Sequence, residues 1–77
     1  MVDPEAIRQK LAEIFPDGKI SAEDYTGEGD HFSVAIVSDA FTGKSLVERH
    51  QMVYRALTTL MPQIHALQLK TVTSAES

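Results

Sequence analysis

Apolar residues recur at two different periods along this 77-residue chain, and the switches between those periods mark out five elements. Asp3 followed by Pro4 is a helix start: an Asx cap accepts an orphan backbone N–H, and proline at the first helical position loses nothing by lacking its own. Ile7, Leu11 and Ile14 then form one apolar face. Pro16 disfavours helical geometry at Phe15, so a first helix is predicted over residues 4–14. The turn Pro16-Asp17-Gly18 leads into a weak alternation over 19–25, with Ile20, Ala22 and Asp24 opposing Ser21, Glu23 and Tyr25. From His31 the alternation is much stronger: Phe32, Val34 and Ile36 share one face, and Val37 adds a buried end. The intervening loop, residues 26–30, carries Gly27 and Gly29, so the two runs read as an antiparallel hairpin.

Helical spacing returns at Ser45, which forms a capping box with Glu48. Leu46, His50, Val53, Tyr54, Leu57, Leu60 and Met61 follow as one stripe, and Pro62 sets the approximate stop. Residues 64–72 are predicted as a third strand and residues 73–77, small and polar, as a frayed tail. The order is α-β-β-α-β. A right-handed crossover through the second helix makes strand three parallel to strand two, giving an α+β fold: a three-stranded mixed sheet with both helices on one face, in a single domain over 1–72. Parallel strands start at the same end of a sheet. His65, opening strand three, is therefore expected beside His31 and the 26–30 loop with its Glu28 and Asp30.

Composition narrows the chemistry. A chain of this size has one small core and no room for a deep cleft. With no cysteine, it has neither a disulfide framework nor a thiolate metal site of its own, which fits an intracellular protein. The net charge of −4, with seven scattered Lys and Arg residues, argues against a phosphate-binding surface. The start MVDPEAIRQK lacks the features of a secretory signal, and no segment reaches the ~20 apolar residues of a membrane span. A cytoplasmic location without membrane association is expected, or an organelle if a targeting segment has been removed.

The three histidines are the softest metal-binding groups in the chain. Gly43-Lys44-Ser45 imitates a P-loop ending, but the required earlier glycine is Ser38; Gly27 and Gly29 fail a dinucleotide fingerprint and are turn glycines. His50, between Leu46 and Val53 on the helical stripe, is expected to be a structural, hydrogen-bonded imidazole. Arg49 beside it is expected to be a solvated charge. His65 with His31, Glu28 and Asp30 makes an incomplete site, since a closed zinc site shows four ligands. An acid–base enzyme would use His31 or His65 as base with Glu28 or Asp30 orienting it, yet no nucleophile stands out, and the chain is expected not to be an enzyme.

His31-Phe32, Val37-Ser38, Phe41-x-Gly43-Lys44, Arg49-His50 with Val53 and Leu57, Ile64-His65-Ala66 and Lys70-Thr71, in this order, resemble the BolA family over nearly the whole chain. The resemblance implies a fold similar to a type II KH domain and a non-enzymatic adaptor in iron–sulfur trafficking and iron homeostasis. The implied partner is a monothiol glutaredoxin of the Cys-Gly-Phe-Ser type. A [2Fe-2S] cluster would be shared with that glutaredoxin and its glutathione, and none is expected in the isolated chain, which could form a weak homodimer. The family's C-terminal histidine ligand maps onto His65. Its loop ligand maps by position onto Glu28, where some members carry cysteine, and by chemistry onto His31, since imidazole is softer than carboxylate towards iron. Some members are described as transcriptional regulators, so DNA binding is the alternative reading. This chain lacks the Gly-x-x-Gly loop by which KH domains clamp nucleic acid.

Overall fold

The structure, a computed structural model, describes residues 2–77. It runs α1 (Pro4–Ile14), β1 (Lys19–Asp24), β2 (His31–Val37), α2 (Leu46–Ala56) and β3 (Ala66–Val72), with 3-10 turns at Asp39–Phe41 and Met61–Gln63. Asp3 caps α1 through its Oδ1, which accepts from the Glu5 N–H at 2.8 Å. Ile7 and Leu11 are fully buried, whereas Ile14 is 53% exposed. At that end of the helix Phe15, no longer helical, turns into the core instead and packs against Phe41 with ring centroids 5.0 Å apart.

β2 is the central strand. It pairs antiparallel with β1, Ile20 opposite Ile36, and parallel with β3, His31 opposite Ala66 and Val37 opposite Val72. Phe32, Val34 and Ile36 join Ile7, Leu11, Phe15, Phe41, Val53 and Leu57 in one core, so both helices lie against the same face of the sheet. His31, Ser33, Ala35 and Val37 alternate with those residues and lie on the opposite face, half-buried. No helix among the described residues is long and apolar enough to cross a membrane.

α2 begins as its capping box requires, with Glu48 N–H donating to Ser45 Oγ at 3.2 Å and Ser45 N–H to Glu48 Oε1 at 2.9 Å. It ends earlier than the apolar stripe suggests, at Ala56. The Thr58 hydroxyl donates to the carbonyls of Tyr54 and Arg55 at 3.2 and 2.9 Å and so satisfies the last turn before Pro62 is reached. The buried stripe is also narrower. Val53 and Leu57 are buried with Met52 and Ala56 beside them, while Leu46 in the first turn and Tyr54, one 100° step round from Val53, are exposed.

The tail is held rather than frayed. Arg49, expected to be solvated, has a side chain only 13% exposed and grips Glu76 through two hydrogen bonds, Nη1 to Oε1 at 2.6 Å and Nη2 to Oε2 at 3.0 Å. Its other donors reach the carbonyls of Lys44 and Thr71, at 3.0 and 3.1 Å. Ser74 Oγ donates to Asp39 Oδ1 at 2.7 Å, and Thr73 N–H to Glu76 Oε1 at 3.0 Å. The Arg49 hydrogen bond foremost, then the Thr73 N–H, hold the Glu76 carboxyl down at about 2.

Candidate functional site

The loop between β1 and β2 is organised by the strand residue that precedes it. Asp24, closing β1, accepts the Gly27 N–H on Oδ1 at 2.9 Å and the Gly29 N–H on Oδ2 at 2.8 Å. Those bonds need a backbone folded back on itself, and Gly27 and Gly29 supply it with φ of 79° and 78°, in the left-handed region. Gly29 is buried, and its carbonyl accepts the Val2 N–H at 3.1 Å. The chain therefore enters β2 from a pinned position, and Asp30 and His31 follow directly.

Asp30 makes the link to the third strand. Its main-chain carbonyl accepts the N–H groups of both His65 and Ala66, at 2.7 and 3.1 Å, ahead of the regular β2–β3 ladder. This brings the His31 and His65 rings to a centroid separation of 4.9 Å, tilted by 52°. Tyr25 meets His31 in a T-shaped arrangement at 5.9 Å, so the end of the sheet carries three rings. The Asp30 carboxylate lies 2.7 Å from His31 Nδ1. A carboxylate can only accept here, so Nδ1 is the donor, and in the neutral ring Nε2 is the nitrogen with the lone pair. His31 is 28% exposed by its side chain, and His65 is exposed.

Of the residues singled out from the sequence, the structure brings His31 and His65 together. It does not place Glu28 with them by any hydrogen bond. Glu28 is exposed on the loop, its N–H donating to Thr26 Oγ1 at 3.3 Å, and the carboxylate at the ring belongs to Asp30. His50 is elsewhere, half-buried on α2. Contrary to the expectation of a hydrogen-bonded imidazole, its Nε2 is buried with no partner among the described residues. Sequence reasoning missed the double role of Asp30; the available signal was its position immediately before His31.

Among the described residues no group of three or more His, Cys, Asp or Glu side chains is disposed to hold a metal ion. The two imidazoles are thus half of a tetrahedral set at most. Chemically they offer two imidazole nitrogen donors side by side at one end of the sheet.

A family model described as BolA-like protein matches residues 5–76. The chain is 39% identical to Protein BOLA2 of Arabidopsis thaliana over 71 residues, which cover 91% of this chain and 76% of that one. It is 36% identical over 84 residues to the DNA-binding transcriptional regulator BolA of Escherichia coli, covering 99% of this chain and 80% of that one. Among solved structures, a bol-like protein from Babesia bovis superposes with a TM-score of 0.87 at 32% identity, over 97% of this chain and 88% of that one.

Proposed function

The chain belongs to the BolA family, and on that premise we propose that it is a non-enzymatic adaptor for a monothiol glutaredoxin of the Cys-Gly-Phe-Ser type. In this reading it helps to ligate a [2Fe-2S] cluster shared with the glutaredoxin and its glutathione, in iron–sulfur trafficking and iron homeostasis. The observation that carries the reading is the His31–His65 pair, 4.9 Å between ring centroids on an accessible end of the sheet.

The donor set fits such a group. A chain without cysteine can contribute only imidazole or carboxylate, and the pair supplies too few ligands for a site of its own but enough to complete one begun by a partner's thiolates. When bound, the cluster supplies one-electron chemistry, at a potential that imidazole ligation raises relative to thiolate. The chain's own part is to hold the donors: the Asp30 carbonyl anchors the backbone at His65, and the Asp30 carboxylate keeps His31 Nε2 unprotonated in the neutral ring. His65 is the principal ligand and His31 the auxiliary one.

The test is to mix the purified chain with such a glutaredoxin, iron, sulfide and glutathione and to record visible absorption and circular dichroism. The spectrum differs from that of glutaredoxin alone, and His65→Ala loses the difference while keeping its fold. An unchanged spectrum for the His65→Ala complex refutes the assignment. A second reading, a DNA-binding regulator, is favoured by the description of the Escherichia coli relative. The net charge of −4 gives it little electrostatic help. Retardation of duplex DNA at physiological salt would support that reading, and its absence the adaptor.

A further inference from the structure

We propose that Asp30 is the positioning residue of the imidazole pair. Its carboxylate locks His31 in the Nδ1–H form, and its main-chain carbonyl sets His31 and His65 side by side. The ligand role rests on the adaptor reading above; the tautomer and the spacing do not.

Two separate parts of one residue act on the two histidines. The carboxylate oxygen 2.7 Å from His31 Nδ1 has no proton to give, so the ring must donate, whether it is neutral or protonated. Neutral imidazole in water favours the other tautomer, with the proton on Nε2, where it would block coordination. The Asp30 side chain reverses that preference and directs Nε2 outward as the donor atom. The pairing of a ring N–H with a carboxylate behind the ligating nitrogen is the usual way to fix a histidine ligand, and losing it typically costs ~10–100-fold in affinity for the bound group. The carbonyl acts on His65 through the backbone, accepting its N–H at 2.7 Å and that of Ala66 at 3.1 Å. Substituting the side chain leaves that second function in place, so the two can be separated. The Asp30 side chain is 36% exposed, and its removal opens no core cavity.

The experiment begins without any cluster. In the full chain labelled with nitrogen-15 at histidine, long-range proton–nitrogen correlations at pH 8 report which ring nitrogen of His31 is protonated. The wild type shows Nδ1–H at His31. Asp30→Ala loses that form in favour of Nε2–H, while the amide protons of His65 and Ala66 stay protected because the carbonyl remains. Asp30→Asn, which keeps an acceptor oxygen but not the charge, retains part of the Nδ1–H form. Wild-type His31 in the Nε2–H form overturns the inference, as does an Asp30→Ala ring indistinguishable from wild type. The second arm uses the glutaredoxin complex and times cluster loss to a chelator. Asp30→Ala accelerates loss by ~10–100-fold, approaching His31→Ala. If His31→Ala accelerates loss and Asp30→Ala does not, positioning by Asp30 is refuted while the adaptor reading stands. If His31→Ala and His65→Ala both behave like wild type, the adaptor reading fails and takes the ligand role with it. The tautomer measurement then decides the carboxylate's grip on His31 alone.

Discussion

His50→Leu is expected to stabilise the domain, against the ordinary rule that changing a residue packed at a core costs stability. The His50 Nε2 is buried without a partner among the described residues, and an unpaired buried polar atom costs ~1–3 kcal/mol. Leucine fills a similar volume, restores apolar contact beside Val53 and is the better helix former, while a size-matched change in a core costs less than ~1.5 kcal/mol. The net gain is ~1 kcal/mol, which raises the melting temperature of a domain of this size by ~4–8 °C. His50→Ala gains the same relief but gives up the packing of a half-buried ring, worth ~1 kcal/mol, and comes out between neutral and ~2 kcal/mol more stable. A hydrogen-bonded His50 would instead make the alanine variant ~1–3 kcal/mol less stable. Val53→Ala is the control, because Val53 is fully buried and purely apolar; it loses about 2 kcal/mol. Urea unfolding followed by far-ultraviolet circular dichroism, with m-values checked for constancy, measures all three. If His50→Leu unfolds more than ~1 kcal/mol below wild type while Val53→Ala behaves as stated, the nitrogen is paired in solution and the reasoning fails.

Three further outcomes are expected. Glu76 titrates near 2 in the folded chain against an ordinary value of 4.5, so its contribution is fully present above pH 4.5 and is lost as the pH falls through about 2. The stability difference between wild type and Glu76→Gln should therefore be constant above pH 4.5 and shrink towards pH 2 in urea titrations; a gap that persists unchanged at pH 2 would show that charge on Glu76 is irrelevant. Gly29→Ala forces a left-handed backbone on an L-residue and should cost about 1 kcal/mol while loosening the entry to His31, seen as faster amide exchange at Gly27 and His31. In the glutaredoxin complex His31→Ala should shift the visible spectrum and Glu28→Ala should leave it nearly intact; the opposite ranking would mean that loop position, not ligand softness, selects the residue.

Much of this fold can be read from local patterns, and the parts that cannot have a common cause. Asp3-Pro4 and Pro16 bracket α1, the Ser45–Glu48 box starts α2, and the strong alternation from His31 marks the central strand, because each signal is contained within a few residues. The meeting of His31 and His65 is legible too, once the crossover rule makes β2 and β3 parallel. Phe15 and Phe41 are core residues in connecting segments, where no period announces them. The early end of α2 is accompanied by the Thr58 hydroxyl taking the Tyr54 and Arg55 carbonyls, which no apolar period announces. The held tail depends on Arg49 and Glu76, two ordinary charges far apart in the chain. In the loop, composition offers Glu28 and Asp30 alike; adjacency to His31 points to Asp30, and the path around Gly27 and Gly29 puts its carboxylate at the ring.

The parallel pairing of β2 with β3 ties the site to the assembly of the sheet. His31 and His65 are separated in the chain by the whole α2 crossover, and the two meet only after β3 has docked and the Asp30 carbonyl has accepted the His65 and Ala66 amides. A chain whose third strand is not docked cannot present the two imidazoles together. A ligand that needs both histidines is thereby reserved for domains whose third strand has docked, and the bound state reports that the sheet is assembled.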